Sequence, residues 1–112
     1  MGISTHVLDT ALGRPASGVP VTLSRLSEDN WYILYVTATG SDGRVQSLLP
    51  ESDKIMTGTY RILFDTAEYF MQHRITGLYP YIEVIFEVRD AAQHYHIPLL
   101  IAPNGYTTYR GS

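Results

Sequence analysis

The chain has 112 residues, 45% hydrophobic and 17% charged, with 9 tyrosines. That is the composition of a single folded domain spanning 1–112, too short for separate cofactor and substrate modules at about 100–200 residues per domain. A formal net charge of -3 gives no basic field for a phosphate backbone, and the absence of cysteine excludes disulfide frameworks, Cys nucleophiles and thiolate zinc sites.

Alternation of period two dominates from the start. Ile3 to Asp9 places Ile3, Thr5 and Val7 on one face and Ser4, His6 and Leu8 on the other. After a turn carrying Gly13, Pro15 and Gly18, the residues Val19, Val21 and Leu23 mark a second strand, and Trp31 to Thr39 a third. The third runs into Gly40-Ser41-Asp42-Gly43, whose Asp-Gly pair signals a short loop closed by Arg44. Tyr60, Ile62 and Phe64 define a further strand. Asp65 with Glu68 reads as a capping box opening a short helix, with Ala67, Phe70 and Met71 as its apolar stripe and Gly77 as its end. The clearest strand sets Ile82, Val84, Phe86 and Val88 against Glu83, Ile85, Glu87 and Arg89. Tyr95, Ile97, Leu99 and Ile101 then oppose His94, His96, Pro98 and Leu100, and Tyr106 to Tyr109 closes the series. Seven to eight strands with one short helix predict an all-β antiparallel sandwich, with Trp31, Phe64, Phe70 and Phe86 in its core.

The most apolar run, Ile97 to Ala102, falls far short of the roughly 20 residues of a membrane helix, so no membrane partner is expected. No charged segment followed by an apolar one opens the chain, and His6 stands where myristoylation wants Ser or Thr, so the expected location is cytoplasmic. Serine-hydrolase elbows, Gly-rich phosphate loops and His-Glu-x-x-His helices are all missing. Histidine remains. His94 and His96 stand two apart on one strand and so share a face, turned away from the apolar set, as His6 is on the first strand. These are either solvated surface residues or the imidazoles of an outward-facing site, and a His-x-His pair with a third histidine also matches catalytic zinc ligation. Arg44 projects from a fixed turn as a further candidate.

Ser4-Thr5-His6-Val7-Leu8-Asp9-Thr10, Ser41-Asp42-Gly43-Arg44, His94-Tyr95-His96-Ile97-Pro98-Leu99-Leu100 and the closing Tyr109-Arg110-Gly111-Ser112 together resemble the transthyretin-related 5-hydroxyisourate hydrolases over nearly the whole chain. The departures are slight: Ile101-Ala102-Pro103-Asn104 where Leu-Ser-Pro plus an aromatic residue is usual, and Thr107 where Ser is common. The resemblance implies a transthyretin-like sandwich assembled as a homotetramer, with active sites in a channel at the dimer–dimer interface. It implies hydrolysis of 5-hydroxyisourate to 2-oxo-4-hydroxy-4-carboxy-5-ureidoimidazoline in urate breakdown; with no cysteine and no carboxylate evident beside His94 and His96, no metal and no cofactor are expected. By motif, His6, Arg44, His96 and Tyr109 to Ser112 line the channel. His6 and His96 move protons, Arg44 polarises the carbonyl, Tyr109 and Gly111 shape the pocket, and Ser112 positions water or substrate through its hydroxyl or carboxylate. His94 supports the channel mouth. A transthyretin-like carrier of small molecules and a zinc-dependent cyclic amidohydrolase are the alternatives.

Overall fold

The computed structural model describes residues 2–112. In chain order the elements are β1 (Gly2–Asp9), β2 (Arg14–Pro15), β3 (Pro20–Ser27), β4 (Asn30–Ala38), β5 (Arg44–Val45), β6 (Gly58–Phe64), α1 (Thr66–Gln72), β7 (Ile82–Val88), β8 (His94–Ala102) and β9 (Gly105–Thr108). One sheet runs β2-β1-β8-β9, with β5 pairing the same edge of β1 as β2, and the other runs β4-β3-β6-β7. The alternating apolar positions explain why the two sheets stack. Ile3, Val7, Leu99 and Ile101 from the first meet Val21, Leu23, Ile62 and Phe64 from the second, all essentially inaccessible to water. Each such side chain contributes about 1.5–3 kcal/mol on burial.

Seven strands of four residues or more match the expected count, and β2 and β5 add two residues each. The pairings are antiparallel except one: β1 and β8 run parallel, from Gly2 opposite His94 to Asp9 opposite Ile101. A last strand ending at Tyr109 is corrected to Thr108. The register that pairs Leu100 with Thr107 brings Tyr109 opposite Pro98, which has no N–H to donate to the ladder.

The helix begins as expected, Asp65 Oδ1 accepting from the Glu68 N–H at 3.1 Å, but the second half of the box is missing because the Asp65 N–H donates to the Pro20 carbonyl. Its buried face is Thr66, Tyr69 and Phe70, and Met71 is 70% exposed rather than part of the stripe. The cause is Tyr69, whose hydroxyl donates at 2.7 Å to the buried Asp9 carboxylate and so fixes the rotation of the helix. Burial, and after it the hydrogen bond to Asp9 and the Asp9 charge, raise the Tyr69 pKa far above the ordinary phenol value. The helix ends at Gln72, before Gly77, where Arg74 adopts the left-handed region at φ +58. Trp31 is only half-buried, with the Arg61 guanidinium 4.5 Å above its ring, and Phe86 is also half-buried; Phe64 and Phe70 are core. No helix among the described residues is long and apolar enough to cross a membrane.

Candidate active site

Register builds the site. In the parallel β1–β8 ladder Ser4 lies opposite His96 and Gly2 opposite His94, so residues that the alternation turns away from the core meet on the outer face of the sheet. On the other edge of β1, His6 stands opposite Arg44 of β5. The turn before Arg44 makes that pairing possible. The Val7 N–H donates to the Gly43 carbonyl at 2.8 Å, and Gly43 sits at φ +77 so close to β1 that a Cβ would collide with the Val7 carbonyl oxygen. Only glycine fits there. The Arg44 N–H donates to Asp42 Oδ1 at 2.9 Å, which fixes the base of a side chain that is itself exposed.

The C-terminal segment is tied to the same face. Gly111 forms a bridge to His96, its N–H donating to the His96 carbonyl at 2.8 Å. Arg110, of opposite parity, stacks 4.3 Å from the Tyr95 ring centroid and donates to Gln93 Oε1 at 3.0 Å. A Cβ on Gly111 would lie 2.5 Å from His96 Cδ2, so glycine is required for this approach.

The result is a recess of about 250 Å³ walled by Ser4, Arg44, Gln46, His94, His96 and Ser112. Ser4 Oγ lies 2.7 Å from His94 Nε2 and 2.8 Å from His96 Nδ1. The other ring nitrogen of His96, Nε2, has no hydrogen-bond partner among the described residues. The His6 Nε2–H donates to the Asp42 carbonyl at 2.9 Å, which leaves Nδ1 as its free nitrogen. Burial lowers the His94 and His96 pKa values below the ordinary imidazole value, and for His96 the charges of Arg44, His6 and His94 lower it further. His96 is therefore neutral across the physiological range, a base rather than a cation. The only ion pair among the described residues joins Arg61 to Glu83, so the Arg44 guanidinium has no carboxylate partner there and is available to an incoming oxygen.

Of the residues singled out by sequence, the recess gathers Arg44, His94, His96 and Ser112. Gly111 lies behind His96, and Tyr109 is exposed beside it on the same face. His6 is on that face but outside the walls of the recess, spending one nitrogen on the Arg44 turn. Sequence reasoning missed Ser4 as a site residue. Its place beside His6 in the outward alternation of β1 was the available signal. A larger hollow of about 470 Å³ lies along residues 47–55, but it contains no imidazole and no guanidinium, so it offers no comparable acid–base chemistry. No group of three potential metal ligands comes together among the described residues.

The family model described as HIUase/Transthyretin matches residues 3–111. The chain is 46% identical to a 5-hydroxyisourate hydrolase of Mus musculus over 112 residues, covering 98% of this chain and 94% of the mouse protein. Among solved structures, the 5-hydroxyisourate hydrolase of Klebsiella pneumoniae superposes with a TM-score of 0.86 at 34% identity, covering 100% of both chains. Sea bream transthyretin in complex with thyroxine superposes with a TM-score of 0.91 at 28% identity, over 99% of this chain and 95% of that one.

Proposed function

The chain belongs to the HIUase/Transthyretin family, and from that premise we propose that it is a hydrolase opening the six-membered ring of 5-hydroxyisourate in urate breakdown. The observation that carries this reading is the meeting of Arg44, His96 and Ser112 around one recess, next to an unoccupied lone pair on a neutral imidazole. His96 Nε2 removes a proton from water as the water oxygen attacks the ring carbonyl carbon. The Arg44 guanidinium receives the charge that develops on the carbonyl oxygen. When the intermediate collapses the carbon–nitrogen bond breaks, the proton held by His96 passes to the leaving nitrogen, and the carboxylic acid formed releases its proton to solvent, leaving the carboxylate of 2-oxo-4-hydroxy-4-carboxy-5-ureidoimidazoline. His6 anchors the Arg44 turn and presents Nδ1 to the substrate, Tyr109 and Gly111 shape the wall, and the Ser112 hydroxyl positions water or substrate.

The recess is an open depression on a sheet face, and water attack in a low-dielectric enclosure needs a cover. A second sandwich supplies it in a homotetramer with the sites at the dimer–dimer interface. A carrier would use the same channel without need of a base beside a guanidinium, and a zinc amidohydrolase would use the histidines as ligands. Turnover of freshly generated 5-hydroxyisourate, followed by the loss of its ultraviolet absorbance, separates the three. Expected is turnover that survives dialysis against a strong chelator. Binding without turnover would support the carrier, and activity lost on dialysis and restored by zinc would support the metal enzyme.

A further inference from the structure

We propose that Ser4 is a positioning residue whose single hydroxyl proton locks His94 and His96 into the same tautomer and links them as a proton relay, an inference that rests on the hydrolase reading above. Ser4 is 7% exposed, and its Oγ is within hydrogen-bond distance of two imidazole nitrogens at once, 2.7 Å from His94 Nε2 and 2.8 Å from His96 Nδ1. A hydroxyl has one proton to give. If both nitrogens were bare, one would have no donor; if both carried protons, the Ser4 proton would have no acceptor, and a buried polar group left unpaired is costly. The satisfied arrangements number two. Either His96 Nδ1–H donates to Ser4 and Ser4 donates to His94 Nε2, or the whole chain is reversed. The two imidazoles are thereby locked into the same tautomer, both Nδ1–H or both Nε2–H.

The Arg44 guanidinium chooses between them. It shares the recess with His96, and a cation there favours a lone pair over an N–H on His96 Nε2. That is the form a base requires. When Nε2 accepts a proton from water, the imidazolium formed is half-buried and faces Arg44, with His6 and His94 also acting on it. The relay removes the charge. The Nδ1 proton of His96 moves to Ser4 Oγ as the Ser4 proton moves to His94 Nε2, so His96 becomes the neutral Nε2–H form and the exposed His94 becomes the imidazolium. No proton is gained or lost in the exchange, and its reversal, as His96 gives its Nε2 proton to the leaving nitrogen, restores the starting state. His94, turned outward beyond the reacting groups, thus acts through Ser4 rather than on substrate.

The test reads tautomers directly from the ring nitrogens in long-range ¹H–¹⁵N spectra of the whole protein, at a pH above the histidine titrations. Expected is Nδ1–H for both His94 and His96, and a shift of His94 toward Nε2–H in Ser4→Ala, where its Nε2 has lost its donor while Arg44 still acts on His96. Ser4→Thr, which keeps the hydroxyl, keeps the wild-type tautomer. In turnover, Ser4→Ala and His94→Ala each lower kcat by about tenfold, less than the hundredfold or more of losing the base itself, with KM little changed. The double variant falls no lower than either single one, because both break the same relay. Unlike tautomers in the wild type, or an unchanged His94 tautomer in Ser4→Ala, would overturn the proposal. The spectra need no substrate, so a wild type inert toward 5-hydroxyisourate overturns the hydrolase reading alone, while the tautomers still decide the role of Ser4.

Discussion

His96→Ala and Arg44→Ala each lower kcat on 5-hydroxyisourate by at least about a hundredfold, the range for a lost general base or a lost donor to a developing oxyanion. Neither should unfold the protein. His96 turns away from the core formed by Tyr95, Ile97, Leu99 and Ile101, and Arg44 is exposed, its turn held by backbone contacts that alanine retains. Melting curves close to wild type, alongside the collapse in kcat, separate a chemical role from a structural one. The pH profile adds a second reading. Burial, then the charges of Arg44, His6 and His94, lower the His96 pKa, so the base stays neutral below the pH at which a free imidazole would be half protonated. The acid limb of kcat/KM in the wild type therefore lies below 6.5, activity falling as pH drops through the lowered value. Residual activity of Arg44→Ala should show that limb moved upward, because one of the charges opposing protonation is gone. A limb unmoved in Arg44→Ala would remove the guanidinium from the surroundings of His96.

Deleting Arg110 to Ser112 leaves a folded sandwich and costs about a hundredfold or more in kcat/KM, the scale on which misplacement of reacting groups by about 1 Å is felt. The segment buries little. What it contributes is position, through the Gly111 bridge to His96 and the stacking of Arg110 on Tyr95. Gly111→Ala tests this without shortening the chain: its Cβ would lie 2.5 Å from His96 Cδ2 and 3.3 Å from Pro98 Cγ, so either the ring or the segment must move. Size-exclusion chromatography and circular dichroism show whether each variant keeps its assembly and fold. Full turnover from an intact truncated protein would leave Arg44, His96 and His6 as the whole site.

Most of the long strands were legible because apolar residues alternate along them against a single core, so that Val21, Leu23, Ile62 and Phe64 declared their faces before any pairing was known. Alternation also put His6, His94 and His96 on the outward side, and the Asp42-Gly43 pair marked the turn that aims Arg44. What alternation cannot supply is register between distant strands. The parallel alignment of β1 with β8 sets Ser4 against His96, and nothing in the four residues before Val7 or the three of His94 to His96 specifies that offset locally. For the same reason Ser4 passed unnoticed: alternation places it on the outward face with His6, but its role exists only once two imidazoles arrive from 90 and 92 residues away. β2 and β5 are too short for any period. The helix face was misread at Met71 because the Asp9–Tyr69 hydrogen bond, a contact across 60 residues, sets its rotation.

The proposed hydrolysis places water attack in the recess where β1, β5, β8 and the C-terminal segment converge. A crystal structure of the protein with urate, a stable conjugated ring system of similar shape that lacks the hydroxylated ring carbon, tests this. Expected is urate in the recess, with a carbonyl oxygen on the Arg44 guanidinium, His96 Nε2 facing the carbonyl carbon across room for one water, and a second copy of the chain closing the open side. Urate seated instead in the hollow along residues 47–55, with the recess between Arg44 and His96 left to solvent, would contradict it.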